Sequence, residues 1–380
     1  MSSKISNNYG KIIEGLGLLV GMIIGAGMFA LPFSFSKVGL WRGLFLFALV
    51  FFLSLILHLL YAAVIYATPG RHRFPGYVNL HLGKAWGKIA FFLTFASAYG
   101  SMLVYGILGA IFLRNIFGSE LYPGGVLFFV AGGLLFFSSL KAVGKINFYL
   151  TLPLLVFIAV LSWRLFPHLN VLNFAAPSVP EWFLPYGVLV FAFGGYSALP
   201  DLHDVLGANS RSLSKKMIFW SLLIAGLFYL SFTLAVLGAS GSLSTPDALS
   251  GLRSIAGEGA VAVGSLVGLL AVFTSYIVFG ADLKLTFRYD YGIPEALSWF
   301  LAFLPPVLLF MAGFTNLVKI LSLVGAVGLG FFAVLVLWIS WREREKLFSF
   351  LGFWPRAWWL WLLGIVIVLG ALSEVVSALY

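Results

Sequence analysis

Residues 15–33 read GLGLLVGMIIGAGMFALPF, and residues 185–202 read PYGVLVFAFGGYSALPDL. Both are apolar runs with glycines in the middle and a proline beyond. The first has Gly25-Ala26-Gly27 and Pro32, the second Gly194-Gly195 and Pro200. Aligned at an offset of 168, Gly27, Ala30, Leu31 and Pro32 coincide with Gly195, Ala198, Leu199 and Pro200. Glycine costs a helix interior about 1 kcal/mol relative to alanine, and proline costs more. Backbone groups freed by such breaks cannot face lipid and must line a cavity or protein. Paired interruptions at corresponding places in two halves of a chain are the pattern of discontinuous spans around a ligand site at the bilayer midplane. Gly17, Gly21 and Gly25 are also spaced by four, as in helix packing through small residues. Packing alone does not place a second break, with proline at the same distance, one repeat later.

The remainder of the chain fits a membrane setting. Of its 380 residues 61% are hydrophobic and only 9% charged, whereas a soluble domain carries roughly 25% charged residues. A water-facing surface cannot be built from so few charges, which excludes soluble enzymes, nucleic-acid binders and disulfide scaffolds. The absence of cysteine removes disulfides, thiolate metal sites and cysteine nucleophiles together. The apolar stretch following the short polar N-terminus runs to Phe35, too long for a signal-peptide core, and is read as a mature span.

With glycine, proline and charge as punctuation, and about 20 apolar residues needed per span, hydropathy predicts an all-α polytopic membrane protein. Its eleven transmembrane helices fall near 12–37, 40–67, 86–117, 124–140, 146–166, 184–207, 217–240, 260–283, 294–313, 315–340 and 356–379. With the N-terminus cytoplasmic, seventeen of the 23 Lys and Arg residues fall inside; Lys37, Arg42, Arg114, Arg164, Arg253 and Lys319 do not. That asymmetry follows the positive-inside rule and puts the C-terminus outside. It also assigns the net charge of +10 to anionic lipid head groups rather than nucleic acid. The two interrupted spans open halves of five spans each (12–166 and 184–340), with 356–379 as an extra helix of one transmembrane domain. Five is odd, so the second half enters from the opposite side: a 5+5 inverted repeat with broken helices 1 and 6.

The IGAGMFALPF and FAFGGYSALPD segments and the eleven-span layout resemble the amino-acid/polyamine/organocation superfamily over essentially the whole chain. The resemblance is closer to its amino-acid/auxin permease and hydroxy/aromatic amino-acid permease branches. It implies a leucine-transporter-type fold in a prokaryotic inner membrane. It also implies alternating access and an amino-acid substrate held between spans 1 and 6. The physical chemistry of the breaks agrees. A helix resuming at Gly27 presents unpaired amides and a positive dipole end, so Gly25, Ala26 and Gly27 suit a carboxylate. The carbonyls of Phe191, Ala192 and Phe193 close the first half of span 6 and suit an ammonium group. A zwitterion is thereby held without a buried charged side chain, which would cost about 2.5–3.5 kcal/mol or more. Tyr105 and Ser101 on span 3 and Phe193, Tyr196 and Ser197 on span 6 are candidates for side-chain selectivity. Taken singly, each aromatic reads more readily as lipid-facing or core packing, since 17% of the chain is aromatic.

Carried over from sodium-using relatives, a cation site comprises the Thr274 and Ser275 side chains and the Ala271, Gly21 and Ile24 carbonyls. Five neutral oxygens suit sodium, although Ser and Thr in membrane helices commonly bond back to their own helix. Proton-coupled relatives can place a span-5 lysine at this position. Span 5 here has only Lys145, at its inner mouth, so sodium is preferred, with a proton as the alternative. Asp201, Lys319 and Glu14 are candidate gating residues, with a solvated vestibule, snorkelling to the interface and a loop ion pair as their respective plain readings. His58 reads as a hydrogen-bonded interior histidine rather than a titrating one, and the TPGRHRFPGY loop as a cytoplasmic amphipathic connector rather than an anion site. No cofactor is expected. Neither HExxH nor a GxSxG with a suitably placed histidine is present, and an enzyme is not expected. A channel-like protein is the other rival. The expected substrates are neutral, hydrophobic or aromatic amino acids; the sequence does not set an oligomeric state.

Overall fold

In the computed structural model, which describes residues 2–137, 140–178 and 181–379, the first apolar stretch is two helices. These are α1 (Ser2–Ile23) and α2 (Gly27–Ser36), bent by 48° across Ile24–Ala26. The next stretch has no proline and a single glycine, and it forms one unbroken helix, α3 (Leu40–Ala67). Its connector to the third stretch is not a plain loop. The helix α4 (Phe74–Leu82) starts there, with Pro75 in the first turn, where its fixed φ favours helix and its missing N–H costs nothing. Then follow α5 (Lys84–Phe117), α6 (Leu121–Leu134), α7 (Leu140–Leu165), α8 (Leu184–Ala192) and α9 (Leu199–Leu206). The chain continues through α10 (Arg211–Ser240), α11 (Arg253–Ala256), α12 (Glu258–Tyr291) and α13 (Glu295–Met311). It ends with α14 (Leu317–Leu323), α15 (Gly330–Arg342), α16 (Arg344–Leu351) and α17 (Ala357–Leu379).

Among the described residues seven helices are long and apolar enough to cross a bilayer, or eight when the bent α1–α2 pair is one span. All eleven stretches read as spans carry helix. Length alone does not qualify every one, because Leu121–Phe137 and Glu295–Met311 are short and residues 184–206 are divided between α8 and α9. Several helices run past the expected limits into charge: Arg211, Lys215 and Lys216 open α10, and Lys284 and Arg288 lie in α12. Residues 324–329 (VGAVGL), expected to be ordinary helix, form a π-helical segment joining α14 to α15. Such segments are rare and often lie at functional sites.

The outside of the molecule is apolar. Trp41, Phe45, Phe92, Trp163, Trp358 and Trp361 each expose more than 60% of their surface, an extent that marks a membrane-facing surface. The interior is organised around the two broken stretches. Every residue of α2 except Phe33 and Ser36 is buried, and α8 packs against α2, α3, α14 and the π segment.

Candidate functional site at two paired helix breaks

The α1 helix ends at Ile23, and its partner α8 ends at Ala192; Phe193, Gly194 and Gly195 are non-helical before a single 3-10 turn leads into α9. After the first break, the Met28 and Phe29 amides bond back to Gly25 O (3.4 Å) and Ala26 O (3.2 Å). Gly25, Ala26 and Gly27 stand at the start of α2, where the first amides of a helix have no partner within it. Its positive end meets the negative end of α8. A Cβ at Gly27 would lie 2.6 Å from Ala192 Cα, so only glycine permits this approach. The reciprocal contact joins the second break to α1: a Cβ at Gly195 would lie 2.5 Å from the Ile23 side chain. Gly25 differs from both, with nothing within 4 Å of a Cβ built there.

The other expected substrate residues divide. Tyr105 is buried with its ring edge-on to Phe279 at 5.7 Å, and Ser101 bonds to Ser97 O at 2.9 Å. The Phe193 ring turns toward α3 and α10, where it meets Phe47 (5.3 Å), Phe51 (5.8 Å) and Tyr229 (5.3 Å). Tyr196 is buried between His58 (4.1 Å) and Phe332 (4.5 Å), Phe191 is half-buried, and Ser197 is exposed. On α12, Thr274 Oγ1 donates to the Leu270 or Ala271 carbonyl (3.1 Å each) and Ser275 Oγ to Ala271 O (2.9 Å). Gly21, Ile24 and Ala271 are all buried.

Of the candidate gates, Asp201 accepts from Arg73 at 3.2 Å, and Asp204 from Arg71 at 3.2 Å. Two ion pairs thus tie the connector ahead of α4 to α9. Glu14 and Lys319 are exposed, and neither has an ion pair among the described residues. A second charged knot lies nearby: Glu343 accepts from His81 Nδ1 (3.2 Å) and Lys346 Nζ (2.7 Å). Burial alone would raise the Glu343 carboxyl, but these two hydrogen bonds and charges outweigh it and hold the group below its ordinary value. Lys284 is buried and reaches Glu295 at 3.4 Å, over the Phe137 ring.

The model of the tryptophan/tyrosine permease family matches residues 9–372. The chain belongs to that family. Its relatives include the tyrosine-specific transport system 1 of Haemophilus influenzae, 24% identical over 88% of this chain and 89% of that protein. The tryptophan-specific transport proteins of Shigella flexneri and Pseudomonas aeruginosa are each 26% identical. They cover 80% and 92% of this chain, and 80% and 89% of their own lengths. All are transport proteins. Among solved structures, MhsT in complex with L-phenylalanine superposes with a TM-score of 0.68 at 15% identity, covering 97% of this chain and 98% of that one. This permease therefore shares the leucine-transporter-type fold.

Tyr229, Glu374 and Asp247 escaped the sequence, whereas His58 is the hydrogen-bonded interior histidine expected there. Tyr229 on α10 places its hydroxyl 2.6 Å from Ile23 O and 2.9 Å from Ala192 O, the last carbonyls of the two half-helices. His58 holds Ser54 O through Nδ1 at 2.7 Å, while its buried Nε2, without a hydrogen-bond partner among the described residues, faces Gly195. Glu374, the one acidic residue of α17, is buried. Asp247 is buried too, accepting from Asn115 Nδ2 (3.3 Å) and from the Ser250 amide (3.0 Å) and hydroxyl (2.7 Å). Glu374 alone announced itself: an acid in a membrane span is a functional candidate by default.

Proposed function

We propose that this permease is a secondary active transporter of aromatic amino acids, tryptophan and tyrosine first, working by alternating access. One observation carries the reading: two interrupted helices meet with opposite dipole ends, the start of α2 on the end of α8. This arrangement complements a zwitterion from the main chain alone. The substrate carboxylate lies at the Gly25, Ala26 and Gly27 amides and the ammonium at the Phe191, Ala192 and Phe193 carbonyls. Tyr105, Ser101, Tyr196 and Ser197 face the side chain. The names of the relatives and of the phenylalanine-bound fold neighbour support an aromatic substrate.

The eleven-span, 5+5 inverted arrangement (12–166 and 184–340, with 356–379 as an extra helix of one transmembrane domain) belongs to the same reading. It is supported by the reciprocal contacts Gly27 to Ala192 and Gly195 to Ile23, which the 168-residue offset nearly interchanges. The N-terminus is cytoplasmic, the C-terminus outside, and the membrane is a prokaryotic inner membrane. The Arg73–Asp201 pair acts in the inner gate, with Glu14 beside it and Lys319 at the outer one. Transport is coupled to sodium, held by Thr274, Ser275, Ala271, Gly21 and Ile24; no other cofactor takes part. The buried Glu374 and His58 favour a second reading, coupling to protons. In sealed liposomes, an inward sodium gradient at equal pH should accumulate L-tryptophan or L-tyrosine. Accumulation driven by a proton gradient alone contradicts the sodium assignment, and a non-saturating, non-accumulating flux contradicts transport by alternating access.

A further inference from the structure

The carbonyls of Ile23 and Ala192 are the C-terminal ends of two half-helices, and both point at one phenolic oxygen. Each carries the partial negative charge of a helix end. A phenol has one proton to give. At 2.6 Å and 2.9 Å both carbonyls are within hydrogen-bond range, yet only one can receive that proton at a time. The other faces an oxygen lone pair in a fully buried position, where an unpaired carbonyl is expensive. The shorter contact assigns the proton to Ile23, which leaves Ala192 O and one lone pair of Tyr229 side by side as acceptors.

We infer that Tyr229 is a substrate-binding residue, whose hydroxyl oxygen accepts a hydrogen bond from the α-ammonium group while Ala192 O accepts a second. A primary ammonium has N–H bonds to serve both. The placement suits an α-amino acid, whose nitrogen and carboxylate are attached to the same carbon. The Ala192 backbone lies directly against Gly27, at the start of the helix whose amides receive the carboxylate. The assignment rests on the amino-acid reading above and adds to it a side chain from α10, outside both broken stretches.

The test is a ligand-by-variant cycle. Affinities of wild type and Tyr229→Phe are measured by competition against radiolabelled L-tryptophan, for L-tryptophan and for indole-3-propionate, which lacks the amino group. Direct contact predicts that Tyr229→Phe weakens L-tryptophan by about tenfold or more and indole-3-propionate by less than threefold, as fits loss of a hydrogen bond to a charged group. Equal losses for the two ligands, or no loss for L-tryptophan, overturn the assignment and leave a merely structural tie. If the variant is not monodisperse, wild type decides. The Nα-trimethyl derivative of tryptophan keeps the charge but has no N–H to donate, and must bind at least tenfold more weakly than L-tryptophan. Equal affinity overturns the proposal. Failure of wild type to bind either L-tryptophan or L-tyrosine overturns the amino-acid reading together with it, whereas an additive cycle removes Tyr229 alone.

Discussion

Gly27 and Gly25 are two residues apart, yet alanine at each should fail in a different way. At Gly27 the added Cβ would sit 2.6 Å from Ala192 Cα, 2.8 Å from its Cβ and 3.0 Å from its amide nitrogen, whereas ordinary contact starts at 3.4 Å. The neighbours are backbone and cannot rotate away. The start of α2 and the end of α8 must therefore separate by roughly 0.8 Å to restore contact. Overpacking of this kind costs about 1–3 kcal/mol, and a displacement near 1 Å at a binding constellation costs on the order of 100-fold in function. At Gly25 the same methyl group meets nothing within 4 Å, so the fold should not notice it. It would, however, occupy space beside the amides assigned to the carboxylate. We expect Gly27→Ala to lower both the melting temperature and L-tryptophan affinity, the latter by about 10- to 100-fold. Gly25→Ala should keep wild-type stability and lose affinity. Thermal unfolding in detergent and radioligand binding on the same preparations decide. Undiminished affinity in Gly27→Ala refutes the paired-break site, and a destabilised Gly25→Ala refutes the geometry around it.

Three further outcomes follow from named contacts. Replacing Thr274 by Val and Ser275 by Ala together should abolish sodium-driven accumulation in liposomes while sparing substrate binding in high salt; unchanged sodium dependence rejects the cation site. The Arg73–Asp201 pair is half-exposed, so Arg73→Ala should cost at most about 1 kcal/mol of stability. It should nonetheless open the inner side, raising thiol labelling of an Ala198→Cys reporter at this buried position several-fold in this cysteine-free chain; an unchanged labelling rate removes the pair from the gate. The Glu343 carboxyl is held below its ordinary value of 4.5, so its contribution to stability is complete above that value and is lost as pH falls through its lowered value. Thermal stability should therefore drop on acidification below about pH 4.5 in wild type and less steeply in Glu343→Gln; parallel profiles would exclude this group.

What could be read from the sequence was whatever has a local cause. Gly25-Ala26-Gly27 and Gly194-Gly195 interrupt helices through their own backbone preferences, and both breaks lie where the glycines are. The long apolar runs, with Leu40–Ala67 as the cleanest case, are helices because nothing in them stops one. What escaped depends on partners remote in the chain. Arg73 meets Asp201 across 128 residues and Tyr229 meets Ile23 across 206, pairings that periodicity does not encode. The Phe193 ring packs among Phe47, Phe51 and Tyr229, an aromatic pocket assembled from α3 and α10. The π segment at 324–329 reads as a glycine-rich helix until Gly325 is seen against the Gly187 carbonyl. The helix inside the connector is only nine residues long, and its opening turn carries Pro75-Gly76, a pair that reads as a turn.

The central claim is that exposed main-chain groups at the two breaks bind both ends of an amino acid. A structure of the protein with L-tryptophan bound tests it directly. The account predicts the carboxylate about 3 Å from the Gly25–Gly27 amides, the ammonium on Ala192 O and Tyr229 Oη, and α1 and α8 still ending at Ile23 and Ala192. Tryptophan bound elsewhere, or a helix running unbroken through either pair of glycines, contradicts it.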